Sequence, residues 1–318
     1  MKSEQVLFPQ VVERGCGLDV HRDTVVATVS GQKIKKETRE FSTFTSSLIE
    51  LRTWLSDLGI THVAMESTGI YWKPVLNILE PGGFTVLVVN ARHVKYVPGH
   101  KTDKKDSAWI CKLLLAGLLK GSFVPPADIR ELRDLTRYHR KLEQSISADK
   151  NRMIKTLEDG NIKLSTVLSK VHGVSGSDIL DAMLGGETDP QELIKLCKGP
   201  IKADRQDILR ALEGRLTAHH LFMLQTLKKS IRQTEILKLG VEARIQELLK
   251  PYAEEIALLD EIPGVGKQTA GELIAEIGAD MSVFPDEEHL SSWGGMCPGN
   301  NESAGKKKAV APLMATSI

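Results

Sequence analysis

The chain has 318 residues, 41% of them hydrophobic and 26% charged, with a formal net charge of +1. That excludes a disordered, low-hydrophobicity chain and is enough for more than one packed core. No apolar run approaches the roughly 20 residues needed to span a bilayer and residues 1–10 lack the pattern of a secretory signal, so a cytoplasmic protein is expected. Cys16, Cys111, Cys197 and Cys297 lie far apart without paired spacing, which points to reduced packing residues rather than a zinc site or a disulfide set.

In chain order, residues 16–21, 24–30 and 37–44 read as three strands separated by turn-prone His-Arg-Asp and Ser-Gly pairs. Residues 46–58 carry Leu48, Ile49, Leu51, Trp54, Leu55 and Leu58 at helical spacing, with Thr45 as the expected N-cap. Residues 62–65 predict a buried strand, 74–80 a helix with Pro near its first turn, and 84–89 another buried strand. Residues 105–119 predict a helix with Trp109, Ile110, Leu113 and Leu114 on one side. Three strands, then helix, strand, helix, strand, helix is the order of an α/β RNase H-like (RuvC-like) domain, expected over residues 1–124.

Beyond Pro125 and Pro126 the strand signal disappears. Leu132, Leu135, Tyr138, Leu142, Ile146, Met153 and Leu157 predict a long amphipathic or coiled-coil helix. A second such stretch is expected over residues 208–249 through Leu212, Leu216, Met223, Leu227, Ile231 and Ile245, with pairing inside one chain and pairing between subunits both open. Residues 171–200, rich in Gly, Ser and Asp, predict short helices joined by loops. These stretches make an α-helical coiled-coil middle of residues 125–250, and Pro251 marks the start of a last domain, 251–318.

The near-neutral total hides local charge. Residues 91–120 hold seven Lys or Arg against Asp103 and Asp106, and residues 128–157 hold eight against five acids. Either stretch alone reads equally well as a solvated helix face. Lys101, Lys104 and Lys105 gain significance from the acids beside them, as phosphate contacts.

Four carboxylates fall where this fold brings chain segments together. Asp19 and Glu66 end the first and fourth strands, and Asp103 and Asp106 share one face at the start of the last helix. Singly, each reads as a strand-end polar residue or a helix-start acid. Jointly they form a set of hard oxygen ligands suited to Mg²⁺ and to two-ion phosphoryl transfer. Four such charges repel unless cations hold them.

Three blocks carry a resemblance. Gly17-Leu18-Asp19-Val20-His21, Met65-Glu66-Ser67-Thr68-Gly69-Ile70-Tyr71-Trp72 and Lys101-Thr102-Asp103-Lys104-Lys105-Asp106-Ser107-Ala108 resemble, in order and spacing, the DEDD motif blocks of the insertion-sequence one-ten family of transposases. The likeness covers essentially the whole chain and implies that Asp19, Glu66, Asp103 and Asp106 are catalytic Mg²⁺ ligands. Tyr71 and Trp72 read as core or groove-lining aromatics.

In the last domain, residues 258–270 resemble a helix-hairpin-helix, whose Gly264 and Gly266 turn and Lys267 would seat a nucleic-acid phosphate at a helix N-terminus. A plain helix-helix turn with a Gly cap is the alternative. Trp293-Gly294-Gly295-Met296-Cys297-Pro298-Gly299-Asn300-Asn301-Glu302-Ser303-Ala304-Gly305-Lys306 resembles the family's second block. It implies that Ser303 attacks a phosphodiester and forms a covalent protein–DNA link, with Lys306, Lys307 and Lys308 neutralising nearby phosphates. A serine hydroxyl needs activation for that role.

The resemblance further implies donor and target DNA as partners, a structured guide RNA encoded by the element, and a homo-dimer or tetramer in which one subunit's serine completes another's metal site. It also implies a nucleoid-associated protein of a bacterial or archaeal cell. Relatives continue with a Gly/Arg-rich basic segment, so a shortened C-terminal domain is expected here. Two other readings remain open: a RuvC-like junction nuclease using metal-activated water, and a truncated, inactive nucleic-acid-binding remnant.

Overall fold

The computed structural model describes residues 11–67, 69–90, 106–199, 201–296, 302–303 and 306–307. They fall into two compact units: the chain up to Val124 together with the chain from Ser282 onward, and Pro125–Met281.

The first unit is built on strands β1 (Arg14–Val20), β2 (Thr24–Gly31) and β3 (Ile34–Ser42), helix α1 (Thr45–Asp57), β4 (His62–Glu66), α2 (Trp72–Leu79), β5 (Thr85–Val89) and α3 (Asp106–Leu115). The strands form one sheet in the order β3-β2-β1-β4-β5, antiparallel through the first three and parallel from β1 to β5. This mixed α/β arrangement is compatible with the RNase H-like domain expected from the element order. The main core lies under α1 and α2, where Leu18, Leu51, Leu55, Met65 and Leu79 are fully buried. A smaller cluster of Ala64, Ile110 and Leu114 seats α3.

Two local expectations are corrected. Phe44, not Thr45, occupies the N-cap of α1, in extended conformation and without a side-chain cap. The chain there is held by other bonds: Thr43 Oγ1 donates to the Arg22 carbonyl at 2.9 Å, and the Ser42 amide to Ser47 Oγ at 3.2 Å. Helix α3 stops at Leu115 instead of running to residue 119, because Gly117 takes a left-handed φ of 67°.

The second unit is helical. It comprises α4 (Ala127–Asp159), α5 (Leu164–Val167), α6 (Val174–Leu184), α7 (Pro190–Leu193), α8 (Arg205–Ala211), α9 (Ala218–Leu249), α10 (Ala253–Asp260) and α11 (Lys267–Ile277). Helices α4 and α9 pair antiparallel within the chain. The rungs run Asp159–His220 at 2.8 Å, Asp149–Ser230 at 2.8 Å, Glu143–Lys238 at 2.9 Å and His139–Glu242 at 2.9 Å.

One end of this hairpin packs on α5 to α8 and the other on α10 and α11, where Ile129, Leu132, Ile245, Leu249, Ile274 and Ala275 are buried together. Arg133, also buried, donates to the backbone carbonyls of Ala275 and Glu276 at the end of α11. The single stretch expected over residues 208–249 is broken. Thr217 opens α9 with a capping box, its hydroxyl accepting from the His220 amide and its own amide donating to His220 Nδ1.

Back in the first unit, α12 (Glu287–Trp293) is N-capped by Asp286, and two short strands follow, β6 (Glu302–Ser303) and β7 (Lys306–Lys307). Among the described residues no helix is long and apolar enough to cross a membrane. Cys16, Cys111 and Cys197 are free thiols, the first two buried; Cys297 lies outside the described residues.

Candidate active site

Strand alternation decides which side chains meet. In β1, Cys16, Leu18 and Val20 point into the main core, so Gly15, Gly17 and Asp19 face α3. In β4, Val63 and Met65 point into the same core, so Ala64 and Glu66 face α3. The parallel register pairs Leu18 with Met65, which carries Asp19 and Glu66 side by side at the C-terminal edge of the sheet. Asp106 is the first residue of α3, the helix lying across that face.

Glycine brings the helix close. A Cβ on Gly17 would lie 2.3 Å from the Cys111 backbone nitrogen, so β1 and α3 approach backbone to backbone. The start of α3 is tied down by a buried hydroxyl bond, Thr28 Oγ1 to Ser107 Oγ at 2.8 Å, and Thr28 also meets Thr38 Oγ1 at 2.9 Å.

The electrostatics report the convergence. Burial pushes the Asp19 carboxyl above the usual carboxylate range; His21, whose Nε2 lies 3.2 Å from Asp19 Oδ2, pulls it back, and Asp106 and Glu66 add to the rise. The structure therefore gathers three of the four expected carboxylates around one sheet edge. Asp103, with Lys101, Lys104 and Lys105, lies outside the described residues. Among the described residues no three His, Cys, Asp or Glu side chains close on a single metal position. The donor set nevertheless fits a hard divalent cation: carboxylate oxygens, mutually repelling and half-buried.

Ser303 stands in a separate two-stranded sheet, directly opposite Lys306, with Glu302 opposite Lys307. Lys308 lies outside the described residues. Upstream, Phe284 and Trp293 pack on Phe123, with ring centroids 5.2 Å and 6.0 Å from it.

In the second unit, α10 and α11 are joined by an exposed turn. Gly264 there has a φ of 91°, and Gly266 caps α11 in extended conformation without a side-chain partner. Lys267 is exposed at the first turn.

Sequence reasoning missed His21 as the partner of Asp19, and missed Ser107 and Phe123. Glycine in a strand interior was the available signal for the close approach at Gly17; the hydroxyl and ring contacts join residues too distant in sequence to leave one.

Comparison with known families gives two matches. The IS110 DEDD model, described as a transposase, matches residues 16–162, and the model described as Transposase IS116/IS110/IS902 family matches residues 256–312. No curated protein matches the chain. The first match holds Asp19, Glu66 and Asp106 and the second holds Ser303, and together they span more than half of the sequence; the chain belongs to the IS110 family of transposases, enzymes that recombine DNA.

Proposed function

We propose that this transposase cuts and rejoins DNA through a covalent Ser303–DNA intermediate, with Mg²⁺ held by Asp19, Glu66, Asp103 and Asp106. The observation that carries the reading is the alignment of Asp19 with Glu66 at one sheet edge, facing the helix that begins with Asp106. When bound, the cations polarise the scissile phosphate and stabilise the leaving oxygen. The chain's own part is to position. The two strand ends fix their carboxylates, His21 orients Asp19, and the Thr28–Ser107 bond fixes the start of α3.

Ser303 Oγ attacks phosphorus as the bond to the departing deoxyribose oxygen breaks; the serine proton is lost and that oxygen gains one. A hydroxyl of the new partner strand then attacks the serine phosphodiester, forms the recombined linkage and returns the serine. Lys306, opposite Ser303, and Lys307 offset phosphate charge, and Lys101, Lys104 and Lys105 do so beside the carboxylates.

The turn at Gly264 and Gly266, with Lys267, acts as a helix-hairpin-helix and holds a phosphate on the amides that open α11. The α4–α9 hairpin is the coiled-coil region. The family likeness supports guidance by a structured RNA and assembly as a dimer or tetramer.

The test is strand transfer by purified protein with element DNA and RNA, resolved on a denaturing gel. Wild type leaves DNA covalently attached to protein in Mg²⁺ and none in chelator, and Ser303→Ala and Asp19→Ala form no adduct. Cleaved DNA free of protein in every variant would sink the serine assignment in favour of a water-using nuclease. Salt-sensitive binding without cleavage under any divalent metal would make the chain a binding remnant.

A further inference from the structure

The structure divides the two aromatics that follow Glu66. Trp72 is 3% exposed and packs in the main core, whereas Tyr71 is 40% exposed and Ile70, just before it, 70%. The carboxylate chemistry uses neither Ile70 nor Tyr71. Yet both stand in the short loop between Glu66, which closes β4, and Trp72, which opens α2, at the sheet edge that carries Asp19 and Glu66.

The loop is held at both ends. The Ser67 amide donates to the Val89 carbonyl at 2.9 Å, continuing the β4–β5 ladder past Glu66, and the Lys73 amide donates to the Ile70 carbonyl at 3.2 Å. Gly69 turns between them with a φ of 60°, and a Cβ there would meet the Tyr71 ring at 3.8 Å. One side of the phenol therefore lies along the loop backbone while much of the ring stays open. The ring also acts across to the turn after β1, where Asp23 first and then Tyr71 hold the Arg22 guanidinium above its usual pKa. The loops that follow β1 and β4 thus approach one another beside the strand ends bearing the two carboxylates.

An aliphatic side chain and a ring left open on a tied loop mark a contact surface. What covers it is set by its neighbours: the carboxylates take a phosphodiester, and the flat apolar surfaces on either side of a phosphodiester are bases. In an intact helix those faces are hidden by stacking, so the strand offers one only when a step is opened.

We infer that Tyr71 stacks on the DNA base next to the scissile phosphate while Ile70 enters the step that base leaves, so the strand is unstacked and bent where it is cut. This rests on the assignment of the carboxylate site to DNA cleavage and adds to it a subsite for one unpaired base. Every base has a π-face, so the subsite grips without reading sequence.

The scissile position is first mapped from the wild-type products of element DNA, RNA and Mg²⁺. Cutting is then timed on that DNA and on DNA lacking the base on one or the other side of the mapped phosphate. Tyr71→Ala is expected to be about ten- to a hundredfold slower on intact DNA, and Tyr71→Phe to recover most of that loss, because the ring makes the stack. On DNA lacking the stacked base, the difference between wild type and Tyr71→Ala closes. The Ile70→Ala deficit shrinks on DNA mismatched at that step, where the stack is already open. Tyr71 is exposed and gives α2 no side-chain cap, so the variants should unfold thermally with wild type.

Contact is read separately, with 5-iodouracil beside the mapped phosphate and Ca²⁺ in place of Mg²⁺. Irradiation should join the DNA to Tyr71 in wild type and not in Tyr71→Ala. Asp19→Ala, run alongside, keeps the two ideas apart. If it cuts as well as wild type, the carboxylate reading falls and the cross-link alone decides the subsite; if it is dead while Tyr71→Ala matches wild type, only the subsite falls. A Tyr71→Ala deficit that persists in full whichever base is removed, an Ile70→Ala deficit equal on paired and mismatched DNA, or cross-links that form only elsewhere would each overturn the inference.

Discussion

Gly17 and Ser107 stand so close that a Cβ on the glycine would lie 2.2 Å from the serine carbonyl oxygen. Both contacts of that imaginary carbon, the Ser107 oxygen and the Cys111 nitrogen, are backbone, so no side chain can swing aside. The missing side chain lets α3 lie against β1 and sets where Asp106 begins relative to Asp19. Gly17→Ala should push the helix off the sheet and cost about 3 kcal/mol, the upper range for overpacking a core. Thermal unfolding checks the cost, and strand transfer should fall further than stability does. An unchanged melting temperature would mean that α3 packs elsewhere.

Asp19→Asn separates folding from function. Burial, Glu66 and Asp106 all oppose the charged form of Asp19, so removing the charge should leave the metal-free protein as stable as wild type or more so, while strand transfer is abolished. A carboxyl raised in the folded state holds its proton after the unfolded chain has released it. Wild type therefore loses stability as pH rises from the ordinary carboxylate value to the raised one, and the Asn variant lacks that loss. Melting temperatures in chelator on both sides of that window test it. A clearly lower value for Asp19→Asn at neutral pH would show that the carboxylate supports the fold.

The carboxylates were legible because strand alternation is a period of two and a motif at a strand end names the face its acid takes. The sheet was legible for the same reason. The break before α9 was not: Leu212 and Leu216 continue the apolar spacing, while the interruption depends on contacts across the unit. A Cβ on Gly214 would lie 2.4 Å from the Gly160 carbonyl oxygen. The capping box closing on Thr217 uses His220 at the position where Glu or Gln is the recognisable signal. Periodicity also could not tell which apolar residues of α9 are buried, since Ile236 and Leu239 look as core-like in sequence as Ile231 but are exposed.

Tyr252 and Asp128 tie the start of α4 to the turn after α9, the phenol donating to Asp128 Oδ2 at 2.6 Å. That bond holds the Asp128 carboxyl below its usual range, while burial, then the bond itself, pushes Tyr252 up to about 12. The lowered carboxyl contributes stability above its ordinary value that is lost as pH falls through the folded one. The raised phenol contributes stability below its ordinary value that is lost as pH rises through the folded one. Tyr252→Phe should therefore cost about 1 kcal/mol near neutral pH, with the gap from wild type closing in strong acid and strong alkali. Denaturant unfolding across pH gives the profile; a gap that stays constant would assign the effect to packing alone.

Phe123, Phe284 and Trp293 form a triangle of rings, the last two 6.0 Å apart and inclined at 63°, that fastens the chain leading to Ser303 onto the segment following β5. That segment is itself held to the sheet, the Ser122 amide donating to the Val88 carbonyl at 2.7 Å. The contact therefore runs from the edge of the five-stranded sheet to the approach of the serine strand. A double-mutant cycle on Phe123→Ala and Trp293→Ala should give a coupling of about 0.5–1.5 kcal/mol beyond the separate losses, as for ring pairs in contact. Under the serine mechanism, Phe123→Ala should also slow formation of the protein–DNA adduct while leaving DNA affinity near wild type, because its packing on Phe284 and Trp293 holds the segment in place. Additive losses in the cycle would mean that the rings do not share a cluster, and the fastening of the serine segment would have to come from another contact.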